Sequence, residues 1–531
     1  MRALHRRAFA VVGAVLLAFA AACAGDPDSG DTSTATEDPN GTITIAFSGG
    51  AATFDPHKAP TPAEFAYFTA VYDRLLRLSV DGTKLEPQLA ESWSFAPDGA
   101  YLEFKLRTGV KFHDGTPFDA EVVKTNIERA KTVQGTRVAP LLSSVESVTV
   151  VDPATVRLNL AAGRGAELPT ALAGYPGFMV SPKVLSGAAD FGLDPVANDG
   201  GSGAYKVSAF KPGESVSFDR VDGYWGGIPN RAKTMTVTFV ASTAARVNGL
   251  RAGQFDLAQI TGVDVPTTQQ LIDQGVMQGY TRTVRISYWL FLNAAMAPLD
   301  NQQVRQAVNY AIDREGIGNG LYGGACVPNY QPYESGFWAS NPALADKYKF
   351  DEQKAKDLVA SSGVADKTIT IEFGAQSAYE PAATAIQTAL TKAGLDAKLG
   401  PVPQAEAFTR FNSGASQAVV TGMIPGADPS VLVGNYLLGG ASLATRDGGA
   451  AGQQITQLAA QGVDPRKSAA ERAAIYQQIQ QIASDQAWFA QICSSQHLWI
   501  RDGKVLGADD TFRGLWQGLP ELGELRVAAS S

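Results

Sequence analysis

Three cysteines and four histidines in 531 residues are too few and too scattered for most zinc or iron–sulfur scaffolds. Charged residues make up only 18% of the chain, too few for a disordered polyelectrolyte. The formal net charge of −8 offers no basic surface to a phosphate backbone, which argues against nucleic acid as a partner. Glycine and proline, at 54 and 28 residues, are near average abundance, so the chain is neither collagen-like nor of low complexity. Enzyme signatures are missing too. There is no Gly-x-Ser-x-Gly elbow, no His-Glu-x-x-His, no Cys-x-x-Cys and no P-loop. The Ser-x-x-Lys at Ser208 to Lys211 runs into Pro212-Gly213 and reads as a turn after a strand. His57, His113 and His497 are far apart and lack carboxylates at ligand spacing, so they read as surface or loop histidines and no metal or cofactor is expected.

What is present suffices for a packed body. Apolar residues are 45% of the chain, and at about 150 residues per domain the length fits roughly three units. Residues 42–47 put Ile43, Ile45 and Phe47 on one face at strand period, and residues 101–106 do the same with Leu102, Phe104 and Leu106. Asp119 is placed as the N-cap of a helix with Val123, Ile127 and Ala130 on one side. Asp300 and Gln303 have capping-box spacing ahead of the stripe Val304, Ala307, Val308, Ala311 and Ile312. Ile386, Ala389 and Leu390 form another stripe, stopped by Gly394, which suits a left-handed residue after a helix. Ile475, Ile479 and Ile482 mark a helix near the C-terminus, and residues 235–240, 369–373 and 418–423 read as strands. The mixture predicts an α/β or α+β fold with mixed sheets and no internal repeat.

At the N-terminus Arg2, Arg6 and Arg7 precede an unbroken apolar and small stretch over residues 9–22. It is shorter than the about 20 residues a membrane-spanning helix takes, so residues 1–22 are expected to be a cleaved export signal. Cys23 directly follows Ala20-Ala21-Ala22, which resembles the lipobox of bacterial lipoproteins, although Ala20 stands where Leu is usual. Cys23 is the expected lipid attachment point, and the polar residues 23–41 carry it as a flexible tether. Cys326 and Cys493 are then left, either as one disulfide in an oxidising compartment or as two buried free thiols.

Several ordered segments carry a family resemblance. They are Phe54-Asp55-Pro56, the run Val71-Tyr72-Asp73-Arg74-Leu75-Leu76, and the long stretch from Leu85 through Trp93 to Phe118. Further on come Gly200-Gly201-Ser202-Gly203-Ala204-Tyr205, Tyr224-Trp225, residues 246–256, Asn293 and residues 304–315. Together they resemble the extracytoplasmic solute-binding proteins of ABC importers, in the peptide/nickel group known as family 5. The resemblance implies two α/β lobes of the periplasmic-binding-protein kind, with an extra domain inserted in the first. On this chain it puts lobe I at 42–81, 204–292 and 500–531, the inserted domain at 82–203 and lobe II at 293–499. It also implies a monomer held outside the cell membrane by its lipid, which closes by hinge motion on an oligopeptide or similar solute. The solute then passes to an ABC permease driven by its ATPase subunits.

By the same resemblance, Asp428 in Met423-Ile424-Pro425-Gly426-Ala427-Asp428-Pro429 is the candidate anchor for a peptide amine, with Met423 beside it. A plain turn at Asp428-Pro429 is the competing reading. Tyr288 and Trp289 lie at the expected crossing between lobes, and strand alternation predicts one in the cleft and the other in the core. Ser48 and Gly49, after the first strand, are candidate backbone contacts. An exported hydrolase of peptides or glycans and a ligand-sensing lipoprotein are the alternative functions.

Overall fold

The computed structural model describes residues 36–529 apart from 59–62, 81, 134–135, 137, 188–189, 376–377, 404–405, 424–425, 439–448 and 509–520. The expected export signal and Cys23 lie outside the described residues.

Eleven described strands join in one mixed sheet. Thr42–Phe47 lies between two parallel neighbours, Thr234–Phe239 and Leu257–Ile260. Ser215–Arg220 and Tyr205–Lys211 continue that side in antiparallel pairing. On the other side Leu257–Ile260 pairs with Phe489–Arg501, and that strand pairs with Gln278–Leu292. Ala418–Met423, Thr368–Gly374 and Asp396–Val402 complete the row, and Cys326–Pro328 joins off it by pairing with Phe489–Arg501. The two longest strands therefore stitch the halves together, in a ladder from Gln278 opposite Arg501 to Phe291 opposite Phe489. Their register shifts between Thr283 and Ser287 and again between Tyr288 and Trp289. A separate antiparallel sheet, ordered Ala90–Phe95, Tyr101–Leu106, Thr155–Leu160, Val145–Asp152, packs on the helix Ala120–Thr132. The fold is mixed α/β, as the alternating patterns predict.

Local signals act as their chemistry requires. The Asp119 side chain accepts from the Val122 amide at 3.1 Å and so caps the helix Ala120–Thr132. Gly394 ends the helix region after Glu380–Lys392 with φ +93°. The expected cap at Asp300 is corrected: Asn301 caps Gln302–Ala311, accepting from the Gln303 amide at 2.8 Å. An Asx oxygen bonds the amides two and three residues on, so one residue of difference moves the cap.

The segments that carry the family resemblance converge on one buried carboxylate. Asp73 accepts from Gln88 Nε2 at 3.1 Å, Tyr224 OH at 2.7 Å, Ser202 Oγ at 2.8 Å and Trp225 Nε1 at 2.7 Å. Among the described residues no cation lies within ion-pair distance of it. Four neutral donors satisfy a buried charge and lock three distant stretches of chain together. Gly201 and Gly203 are glycine because a Cβ there would meet the Val71 backbone at 2.1 and 2.6 Å.

Of the three histidines singled out, His57 and His113 lie in turns, in keeping with the loop reading, and His497 lies in a strand; none of the three is exposed. His57 is fully buried, and its Nδ1 lies 2.7 Å from Arg129 Nη1, whose guanidinium also grips Asp55. Burial, ahead of the opposing influence of Asp55, pushes His57 down to about 4. His113 puts Nδ1 2.8 Å from Asp199 and Nε2 2.9 Å from the Gly203 carbonyl. His497 is buried beside Gln259. Each partner is far away in sequence, which is why spacing did not reveal it. Cys326 and Cys493 lie on paired strands with Cα atoms 5.3 Å apart and are joined as a disulfide.

Candidate functional site

The strand Ala418–Met423 is apolar because both its neighbours and the layers over them bury it. Beyond it Gly426 turns the chain at φ +80°, and Asp428 caps the short helix Pro429–Leu432 through a 3.0 Å bond from the Ser430 amide. Proline at the first helical position loses nothing, since its missing N–H would have no partner there. The turn reading of Asp428-Pro429 thus describes the local backbone.

A second element meets this turn. Ser468 and Glu471 form a reciprocal capping box that starts the helix Ala469–Asp485. The next residue, Arg472, sits one turn in, donating from Nη2 to Asp428 Oδ2 at 2.7 Å and from Nε to the Gly462 carbonyl at 2.7 Å. Its guanidinium also lies 5.3 Å from the Trp338 ring centroid. The opposite wall comes from residues 140–175. There Glu167 precedes the helix Leu168–Ala171, and its Oε1 accepts from Ser144 Oγ at 2.8 Å. One backbone bond ties the walls, from the Ala166 amide to the Val463 carbonyl at 3.0 Å.

Between them lies a cavity of about 970 Å³. Its surface is mostly apolar and aromatic, with Tyr175, Tyr379, Phe408 and Tyr436 prominent. The charged members of its lining are Arg164, Glu167 and Asp428. Three polar atoms of lining residues are buried without a hydrogen-bond partner: Glu167 Oε2, Ser430 Oγ and the Tyr476 hydroxyl. Burial pushes the Glu167 carboxyl above the usual carboxylate range, and the nearby charge of Asp428 adds to the effect. Size and lining match a small-molecule cleft, which is typically about 300–1,000 Å³ and apolar with a few converging polar groups. Among the described residues no group of three His, Cys, Asp or Glu is placed to hold a metal ion.

Of the residues singled out from sequence, Asp428 lines this cavity, but with both carboxylate oxygens engaged by Arg472 and Ser430. Met423 is buried with Phe411 and Ile479. Tyr288 and Trp289 do point to opposite faces, but both are buried and neither lines the cavity. Tyr288 packs edge-on to Tyr322 and Tyr379, while Trp289 stacks on Phe291 on the opposite face. Their strand is central, so its two faces open onto two cores, not onto a core and a cleft. Ser48 Oγ donates to Gln259, and the Gly49 carbonyl accepts from Tyr67 OH at 2.6 Å; neither lines the cavity. Glu167 and Arg472 were missed. The Ser468-x-x-Glu471 signature does start the helix that carries Arg472, but nothing local links either residue to position 428.

Comparison with known proteins agrees on family and fold. The model of the bacterial extracellular solute-binding proteins, family 5 middle region, matches residues 84–442. The probable D,D-dipeptide-binding periplasmic protein DdpA of Escherichia coli K12 is 29% identical over 409 residues, which is 75% of this chain and 77% of that protein. The glutathione-binding protein GsiB of the same strain is 28% identical over 375 residues, 68% of this chain and 66% of that protein. Among solved structures, the A. tumefacien R10 protein AgaA in complex with agropinic acid superposes with a TM-score of 0.77 at 24% identity, covering 92% of this chain and 99% of that one. NikA of Brucella suis in complex with Fe(III)-EDTA gives 0.78 at 23% identity, covering 92% and 99%.

Proposed function

This chain belongs to the bacterial extracellular solute-binding proteins of family 5, and from that premise we propose that it captures a peptide-like solute in the cavity between residues 140–175 and 422–476. Its fold is the mixed α/β, two-lobed one of these binding proteins. The observation that carries the proposal is the cavity itself: about 970 Å³ of mainly apolar surface with a small set of convergent polar groups, framed by two separate stretches of chain. Peptides are the favoured class because two curated relatives are a D,D-dipeptide-binding and a glutathione-binding protein.

In this reading the lobes are 42–81 with 204–292 and 500–531, and 293–499, with 82–203 inserted in the first. They close about the strands Gln278–Leu292 and Phe489–Arg501. Closure removes water from the solute and strengthens every polar contact inside. The closed form is handed to the permease of an ABC importer. Cys23 carries the lipid that keeps the protein outside the membrane.

Protein purified without denaturation and examined by native mass spectrometry is expected to carry a bound small molecule, or to take one up from a pool of di- to pentapeptides and release it with its mass unchanged. Release of fragments would replace solute capture with hydrolysis. A protein that is empty and takes up nothing would end the proposal.

A further inference from the structure

The helices Ala450–Gly462 and Ala469–Asp485 pack as a hairpin, and the turn between them touches a stretch of chain some 300 positions earlier. Within this tip Asp464 accepts from the Arg466 amide at 2.9 Å and pairs with the Arg466 guanidinium at 2.6 Å, so the charge of Arg466 is satisfied inside the turn. The outer side of the tip rests on glycine. Gly99 is buried although Pro97, Asp98 and Ala100 around it are exposed. A Cβ there would lie 3.0 Å from Pro465 Cγ and 3.1 Å from Arg466 Cγ, and one on Gly163 would lie 3.7 Å from Arg466 Nη2. Both glycines hold positive φ, +74° and +70°, so the tip meets bare turns. Beside them the Val463 carbonyl accepts from the Ala166 amide at 3.0 Å. Val463 and Arg164 both line the cavity, so the contact borders it. The base of the tip is held from inside. Arg472 donates from Nε to the Gly462 carbonyl and from Nη2 to Asp428, each at 2.7 Å, and one guanidinium thereby ties the cavity wall to the residue before Val463.

We infer that the tip 463–466 is a latch that retains the captured solute and that Arg472 is the residue that positions it. The inference rests on the solute-capture reading and its lobe assignment, and deepens them. The tip belongs to the second lobe, and Gly99, Gly163 and Ala166 to the inserted domain, so the contact joins two walls that must part before a solute can leave. Its makeup suits repeated opening. One backbone hydrogen bond and two side chains on glycine hold it, and among the described residues no ion pair crosses it. Relative motion is the ordinary behaviour of domains joined by so small a contact. The tip itself is stiff, because the Asp464–Arg466 pair closes it and the capping box of Ser468 and Glu471 starts the next helix directly after it. A stiff tip seats as a unit. Arg472 sets where that unit stands relative to Asp428, so a solute that settles against this wall also steadies the latch.

The test measures association and release rates of the full-length protein with a defined panel of di- and tripeptides. Pro465→Ala combined with Arg466→Ala strips the tip without altering a residue of the cavity lining. Release of every bound member is expected to speed up by on the order of 10-fold, with association changed by less than about twofold, because loosening a formed contact acts on the dissociation rate. The urea midpoint should stay where it is, which separates a latch from a structural contact. Arg472→Lys, whose single ammonium lacks the fork that serves Gly462 and Asp428 together, should speed release by the same order while keeping the charge. In a third variant, Asp98→Cys with Arg466→Cys, a short bismaleimide joins the two sides. The joined protein is expected to hold a preloaded peptide and, when joined empty, to admit none. Release unchanged in the Pro465→Ala, Arg466→Ala protein overturns the latch and leaves solute capture standing. So does a joined protein that exchanges peptide freely, or a cysteine pair that does not join in the loaded protein. Release unchanged in Arg472→Lys removes Arg472 from the positioning role. A parent that binds no panel member and purifies empty removes capture and latch together.

Discussion

Two buried carboxylate clusters in this molecule differ in one respect. Around Asp73, four donors from Gln88, Ser202, Tyr224 and Trp225 occupy both oxygens. Around Glu167, one oxygen is served by Ser144 and the other by nothing, beside about 970 Å³ of space. The first arrangement finishes an interaction within the chain and fixes its path. The second leaves one acceptor of the chain unpaired. A buried acid is therefore no indication of a binding site until its acceptor capacity has been counted.

Substitution should separate the two by what it costs. Asp73→Ala leaves one buried and three half-buried donors without their acceptor and is expected to lower unfolding stability by roughly 2–4 kcal/mol, read as a shift in urea midpoint at constant slope. If the protein still folds, solute affinity should hardly change.

Next in size is a pH effect from the other closed clusters. His57 titrates at about 4 in the fold against an ordinary 6.5. Between those values the unfolded chain takes up a proton that the native protein refuses. Stability from this residue is therefore full above pH 6.5 and falls as the pH drops toward 4, by about 3 kcal/mol in all. His113 runs the other way. Burial lowers it, but the bond to Asp199 and that carboxylate's charge together outweigh burial and raise it. Its contribution is full below pH 6.5 and is lost as the pH rises through its folded value. Urea midpoints between about pH 4 and pH 8 should show both slopes. His57→Gln should remove the acid one and His113→Gln the alkaline one.

The smallest effects should fall at the open cluster. Without solute, Glu167→Gln should change stability by less than about 1 kcal/mol, toward greater stability, because it replaces an uncompensated acid with an amide. Ser430→Ala should stay within about 0.5 kcal/mol. A loss of several kcal/mol at Glu167 would make it a structural residue like Asp73 and erase the contrast.

How far the sequence reveals these clusters depends on separation along the chain. The strands Thr42–Phe47, Tyr101–Leu106 and Ala418–Met423 are legible because side-chain alternation is a local property. So are the Asp119 cap and the Gly394 stop. Asp428 is legible as part of a family motif, but Arg472, 44 residues on, is not legible as its partner. Glu167 carries no local signal at all, since its character comes from a wall formed by residues more than 250 positions away. Alternation at Tyr288 and Trp289 misleads for a related reason. It reports that two faces exist but not what covers each one.

The start of the described chain has a mechanical consequence. Glu37 bridges to Ala528 and pairs with Arg526, and the Asp38 amide donates to the Val527 carbonyl at 2.7 Å. A pull on residue 36 thus falls first on the carboxyl-terminal segment 526–528, which is held in turn by Lys504, Val505 and Leu506 and by the bridge of Arg526 to Arg231. Tension arriving there would be met in a clasp between residues 37–38 and 526–528, away from the residues that line the cavity.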